Sequence, residues 1–207
     1  MEGGEISGNI SRYCVQVNNG ATFEMSSGSI KDNSSRYYTS GDYCIWVNNG
    51  STFKWSGGGI TGNTAFDYVV YAGDGGNTFE MSCSTIPGNT TDLSNLFISH
   101  SSTFRLSGSA KIGTIILYAN NATTRSSVTI DGNYSGTVTT LNLSGNNTNA
   151  NTVATWWTNA QVIVSDSSSI ISMFNNALGN FRNSSGSSVM PISATHVINN
   201  IGVLMLK

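Results

Sequence analysis

Charge is the first thing this sequence lacks. Only 10% of its 207 residues are Asp, Glu, Lys or Arg, where an ordinary soluble domain carries about a quarter. Nine Lys and Arg against eleven Asp and Glu leave a net charge of −2. Binding nucleic acid through its phosphates needs clustered cations, and none cluster here, so no nucleic-acid partner is expected. Long hydrophobic runs are missing as well. Nothing approaches the roughly 18 consecutive apolar residues of a membrane-crossing helix, and no membrane insertion is expected of this segment. Proline and His occur twice each, and three Cys do not settle the redox compartment. The N-terminus has neither the basic region nor the hydrophobic stretch of a secretory leader. Met1 sits at a repeat position, so the chain reads as part of a longer protein, or as a mature form whose leader and anchor lie outside it.

What the sequence has instead is a repeat. A large apolar residue, two residues, Gly or Ser, one residue, Ile, two residues and Asn recur as 1–9, 25–33, 55–63 and 81–89. The unit heads, Met1, Met25, Trp55, Met81 and Leu106, are spaced by 24, 30, 26 and 25 residues. A fixed period in this range marks a solenoid. Between the heads come a short apolar strand (Tyr13–Val17, Tyr43–Val47, Tyr68–Ala72, then Leu96–Ile98), a turn rich in Asn and Gly, and a Thr-Phe-x-large strand. The length differences fall in the turns, as expected when stacked strands must keep register while loops project outward.

A winding of about this length suits a parallel β-helix, in which equivalent residues stack about 4.8 Å apart. Alternation then points Phe23, Phe53, Phe79 and Phe104 inward, together with the unit heads, Ile6, Ile30, Ile60 and Ile86, and the pairs Val15/Val17, Ile45/Val47, Val70/Ala72 and Leu96/Ile98. Each buried large side chain contributes about 1.5–3 kcal/mol. Asn9, Asn33, Asn63 and Asn89 should stack at a corner, their amides bonding to their copies. Glu24, Lys54, Glu80 and Arg105 should form an outer column of alternating sign. Val128 and Ile130 follow Phe104 and Leu106 by 24 residues, which implies a sixth coil. From Ser144 the pattern stops. A strand over 161–165, a helix over 167–178 with Asp166 as its cap, and a final hairpin from His196 read as a cover for the open end of the coil. The expected fold is therefore all-β: a right-handed parallel β-helix of about six coils over 1–143, with a small C-terminal strand-helix-strand cap over 144–207.

These units resemble the right-handed β-helix repeats of bacterial surface and secreted proteins in the pectin-lyase-like superfamily. They are most similar to spirochaete-type repeats with a Met-x-x-Gly-x-Ile-x-x-Asn unit. The resemblance covers residues 1–143 and implies a cell-surface or secreted setting and a structural or adhesin-like role. It departs from the family pattern at Tyr43, Trp46 and Tyr71, where related chains carry small residues.

Candidate sites are few. Glycoside hydrolysis needs two carboxylates held about 5–10 Å apart, and Asp32, Asp42, Asp67, Asp74, Asp92, Asp131 and Asp166 are scattered, mostly in loops. His100 and His196 read as loop and strand-surface residues, without Cys or His at metal spacing. No phosphate loop opens a helix. No catalytic residue, metal site or cofactor is expected. Cys14 and Cys44 occupy equivalent places in adjacent coils, either as free thiols on the strand surface or as a disulfide. One feature exceeds scattered exposed apolar residues: an outward column of Gln16, Trp46, Tyr71, Phe97 and Tyr118, covered by the cap or a neighbouring chain, or open to a glycan or protein partner. The expected function is a non-catalytic, extracellular structural or adhesin-like segment. The alternative is a carbohydrate-active β-helix enzyme of the polysaccharide lyase or hydrolase type.

Overall fold

The computed structural model describes residues 1–35, 41–82, 90–91, 94–131, 133–165, 167–182, 184 and 188–207. The chain winds as a parallel β-helix of about five turns. Four stacked parallel sheets run along it, the smallest made of the two-residue strands Ser34–Ser35, Thr64–Ala65 and Thr90–Thr91. One holds Glu2–Ser7, Ser27–Lys31 and Gly59–Thr61. The second holds six strands from Thr22–Met25 through Ser127–Ile130 to Ile163–Val164. The third and longest runs from Tyr13–Val17 through Tyr43–Val47, Tyr68–Ala72, Ser94–Ile98, Lys111–Ala119 and Thr137–Gly145 into Leu178–Arg182.

Register follows the repeat. Phe23 pairs with Phe53, Phe53 with Phe79 and Phe79 with Phe104. Their ring centroids lie 5.1, 5.3 and 5.7 Å apart. The last three rings are fully buried, while Phe23 at the open end is half-buried. Met25, Trp55, Met81 and Leu106 form the neighbouring buried column, and Ile30 and Ile60 form a third. Val128 and Ile130 continue the first two columns. Outside, Lys54 meets Glu24 at 3.2 Å and Arg105 approaches Glu80 at 3.9 Å. Ile86, Asn89, Asp92 and Asp166 fall outside the described residues.

The corner amides form a directional ladder. Oδ1 of Asn33 accepts from the backbone N–H and Nδ2 of Asn9 at 3.1 and 2.9 Å. Oδ1 of Asn63 accepts from the same two groups of Asn33 at 3.1 and 2.9 Å. Each lower Nδ2 also reaches a carbonyl of the winding above, Asn33 to Ile6 and Asn63 to Ile30. The tight bend before each Ile needs glycine. At Gly58, with φ +82, an added Cβ would stand 2.5 Å from the Gly28 carbonyl oxygen, inside contact distance.

The C-terminal segment closes the coil and also extends it. Ile163–Val164 adds to the Phe-bearing sheet and Leu178–Arg182 to the longest one. Residues 150–157, where no element was expected, form helix α1 (Ala150–Trp157), capped by the Asn149 side chain on the Asn151 N–H at 2.9 Å. Trp157 is fully buried and donates from Nε1 to the Ser144 carbonyl at 2.9 Å. Helix α2 (Ser168–Asn176) buries Ile170, Ile171 and Phe174. The strand Leu178–Arg182 begins at the last residue of the expected helix over 167–178, with Gly179 as its second residue. The final hairpin pairs His196–Ile198 with Leu204–Leu206.

Candidate functional site: an aromatic groove across the coils

The outer face of the longest sheet carries the candidate site. Gln16, Trp46, Tyr71 and Phe97 lie side by side in register. The fifth place in that row belongs to Ile116, not Tyr118. Tyr118 lies two residues further along the same strand and meets the row obliquely, its ring centroid 5.4 Å from that of Phe97. The structure thus gathers Trp46, Tyr71, Phe97 and Tyr118 on one face without placing them in one straight column.

A second row, unforeseen from sequence, runs beside the first. Strict alternation would send Tyr13, Tyr43 and Tyr68 inward and Cys14 and Cys44 outward. The strands bend instead, burying two consecutive residues each time, Cys44–Ile45 and Val69–Val70. The leading Tyr therefore shares the outer face with the residue three places on, Gln16, Trp46 or Tyr71. Tyr13 lies 4.5 Å from Trp46, Tyr43 lies 4.2 Å from Tyr71, and Tyr68 lies 4.5 Å from Phe97, centroid to centroid. Tyr13, Tyr43 and Tyr68 also stack on one another at 6.0 Å. Tyr recurring at the same place in three repeats was the signal available in the sequence. All these rings are half-buried except Phe97, which is buried.

This doublet of rings floors two adjoining hollows. The larger, about 670 Å³, lies over Tyr43, Tyr68, Tyr71, Phe97 and Tyr118. The second, about 530 Å³, lies over Tyr13, Trp46 and Tyr43. Tyr43, Tyr71 and Asp74 line both, so they form one groove. Either volume is in the range of small-ligand sites. Gly73 keeps the floor open: a Cβ there would stand 3.1 Å from both the Trp46 Nε1 and a ring carbon of Tyr71. The indole Nε1 of Trp46 is a buried donor with no protein acceptor.

No family model, curated protein or solved structure matches this chain. The groove has to be understood from its own chemistry. Its rims are polar. On one side stand Arg12 and Asp67, each immediately before the leading Tyr of its strand. Asp67 approaches the Gly41 N–H at 2.5 Å, and Arg12 lies 3.9 Å from the buried Asp42. On the other side stand Asn49, Asp74, His100, Asn120 and Asn146. Asn49 donates to Asn19 at 3.3 Å and Asn146 to Asn120 at 3.2 Å, an amide rim in two pieces.

The phenols feel this setting. Burial, followed by the neighbouring Tyr71 and Asp67, raises the Tyr43 phenol far above its ordinary range. Tyr68 is likewise raised by burial and Asp67. Tyr71 is pushed up to about 12 by burial and Asp74. The hydroxyls therefore stay protonated and can donate at neutral pH.

His100 and Ser99 sit beside Asp74, but not as a hydrolytic triad. Ser99 Oγ donates to Asp74 Oδ1, and His100 Nδ1 lies 3.2 Å from the same oxygen and 3.4 Å from Ser99 Oγ. A triad needs the serine on one ring nitrogen and the carboxylate on the other. Here both meet Nδ1. Among the described residues, no three His, Cys, Asp or Glu side chains converge as metal ligands, and no helix is long and apolar enough to cross a membrane.

The remaining candidates are structural. Cys14 and Cys44 are free thiols hydrogen-bonded to each other. Cys44 is buried in the core because of the strand bend, rather than lying on the strand surface. That bond lowers the Cys14 thiol, and the same bond with burial pushes Cys44 well up. Cys83 lies outside the described residues. His196, expected on a strand surface, is buried in the cap between Thr158 Oγ1 at 2.9 Å and Thr195 Oγ1 at 2.7 Å.

Proposed function

We propose that the chain is a non-catalytic, surface-exposed β-helix segment that binds a glycan along the aromatic groove. The observation that carries this reading is the doublet of rings crossing successive coils, bordered by amides, hydroxyls and carboxylates. Aromatic surface takes the apolar C–H faces of a sugar. The polar rim supplies the few hydrogen bonds that orient it. One coil advances the floor by about 4.8 Å, close to the advance of one sugar unit in an extended polymer, so a linear glycan can run parallel to the coil axis and meet equivalent groups at each step. The extracellular setting and the adhesin-like role rest on the resemblance of the repeats to bacterial surface β-helices of the pectin-lyase-like type. Glycan-array binding that is lost in Trp46→Ala and Tyr71→Ala supports the reading. Binding unchanged in both variants overturns it.

A carbohydrate-active enzyme is the second reading, favoured by one feature: Asp67 and Asp74 line the same hollow. Release of reducing ends from a bound polysaccharide, abolished in Asp67→Asn or Asp74→Asn, would replace the binding reading with this one.

A further inference from the structure

The two rims of the groove differ in charge, and the difference selects among glycans. On the Tyr68 side, the Asp67 carboxylate lines the larger hollow and acts on the Tyr68 phenol. Arg12, farther along that rim, lies near the Asp42 carboxylate and 5.3 Å from the centre of the Tyr13 ring. On the opposite side the Asp74 side chain is 63% exposed. Both of its side-chain contacts, Ser99 Oγ and His100 Nδ1, fall on Oδ1, which leaves Oδ2 its full accepting capacity. Asp74, Tyr71 and Tyr118 line the same hollow. A carboxylate beside aromatic rings is the chemistry that holds an ammonium group, by charge on one side and ring electrons on the other.

Taking the groove as a glycan surface, we propose that it prefers a glycan bearing protonated amino groups, with one ammonium seated between Asp74 and the rings of Tyr71 and Tyr118. A uronic-acid polymer would bring its own carboxylates against Asp74 and Asp67 and is disfavoured. A neutral or N-acetylated glycan keeps the ring contacts and lacks the ion pair.

The test is titration calorimetry of the described chain with three hexasaccharides, at low salt and at a pH that keeps amines charged. These are a glucosamine oligomer, its N-acetylated counterpart and an oligogalacturonate. The glucosamine oligomer should bind about tenfold tighter than the acetylated one, and the oligogalacturonate most weakly. Added salt should shrink the tenfold gap. Asp74→Asn, which retains an oxygen for Ser99, should erase the gap. Equal affinity of wild type for the two glucosamine forms overturns the ammonium seat but leaves the groove as a glycan surface, and so does a gap that persists in Asp74→Asn. Binding of none of the three, together with a silent glycan array, removes the glycan surface itself.

Discussion

The ring of Tyr43 lies flat against the ring of Tyr71, centroids 4.2 Å apart and planes 6° apart, although the two residues belong to adjacent coils and to different positions of the repeat. Tyr43 opens its strand and Tyr71 is the fourth residue of the next one. The contact is therefore diagonal, and it ties the two aromatic rows into one floor. Each ring is held by neighbours on two sides, so the groove is organised before any ligand arrives, which lowers the ordering cost of binding.

That packing predicts an alkaline transition. The folded-state phenols of Tyr43, Tyr68 and Tyr71 are raised above the ordinary value of 10.0. A raised folded pKa means that their stabilising contribution is intact below about pH 10 and is lost as pH rises towards the raised values. Ultraviolet titration should show Tyr43, Tyr68 and Tyr71 ionising only as the fold is lost. Tyr43→Ala, which removes a stacked, half-buried ring, should cost about 2 kcal/mol in chemical denaturation. Tyr43→Phe keeps the stack and should cost less.

The amide ladder predicts a position effect that side-chain identity alone does not. Asn33 is bonded on both sides, to Asn9 above and to Asn63 below, and also reaches the Ile6 carbonyl. Asn33→Ala removes four side-chain hydrogen bonds, the one to Asn63 buried, and should destabilise by about 2–4 kcal/mol. Asn9 is exposed at the open end, and Asn9→Ala should stay within about 1 kcal/mol. Equal losses in thermal unfolding would show that the ladder does not act as a directional chain.

Much of this architecture was legible in the sequence because the repeat places like residues at like offsets. Phe23, Phe53, Phe79 and Phe104 each follow a Thr, and register is set wherever one face is buried. Three features were not legible, for separate reasons. The outer row of Tyr13, Tyr43 and Tyr68 is invisible to strict alternation, because the bend that buries Cys44 and Ile45 together breaks it. Tyr118 was misplaced because the register advances 25 and 26 residues from Trp46 to Tyr71 and from Tyr71 to Phe97, but only 19 from Phe97 to Ile116. Helix α1 carries little intrinsic signal. Its Asn, Thr and Trp residues are indifferent helix formers, and it forms where Trp157 can bury its ring against the end of the coil.

The cysteine pair predicts selective chemistry. Cys14 is half-buried and its thiol is lowered by its hydrogen bond with Cys44. Cys44 is fully buried and is raised by the same bond and by desolvation. The thiolate is the reactive form. Iodoacetamide added to the native protein should label Cys14 well before Cys44, and denaturant should bring the two rates together, as read by peptide mass spectrometry. Simultaneous labelling in the native state would contradict the burial of Cys44.

The cap should weaken in acid through His196. Burial depresses the folded-state value of this imidazole below its ordinary 6.5. Both ring nitrogens face hydroxyls of Thr158 and Thr195, and the ring meets Phe181 edge-on at 5.1 Å. A hydroxyl can accept from one nitrogen and donate to the other, which satisfies the neutral ring. The charged ring must donate from both and loses solvation as well. The unfolded chain takes up the proton first, so the contribution of His196 is complete above about pH 6.5 and falls as pH drops through that value towards the depressed one. His196→Gln keeps two polar contacts without a titrating group. It should flatten the decline in melting temperature across that interval while lowering stability at neutral pH by about 1 kcal/mol. A pH profile identical to wild type would show that the acid sensitivity of the cap resides elsewhere.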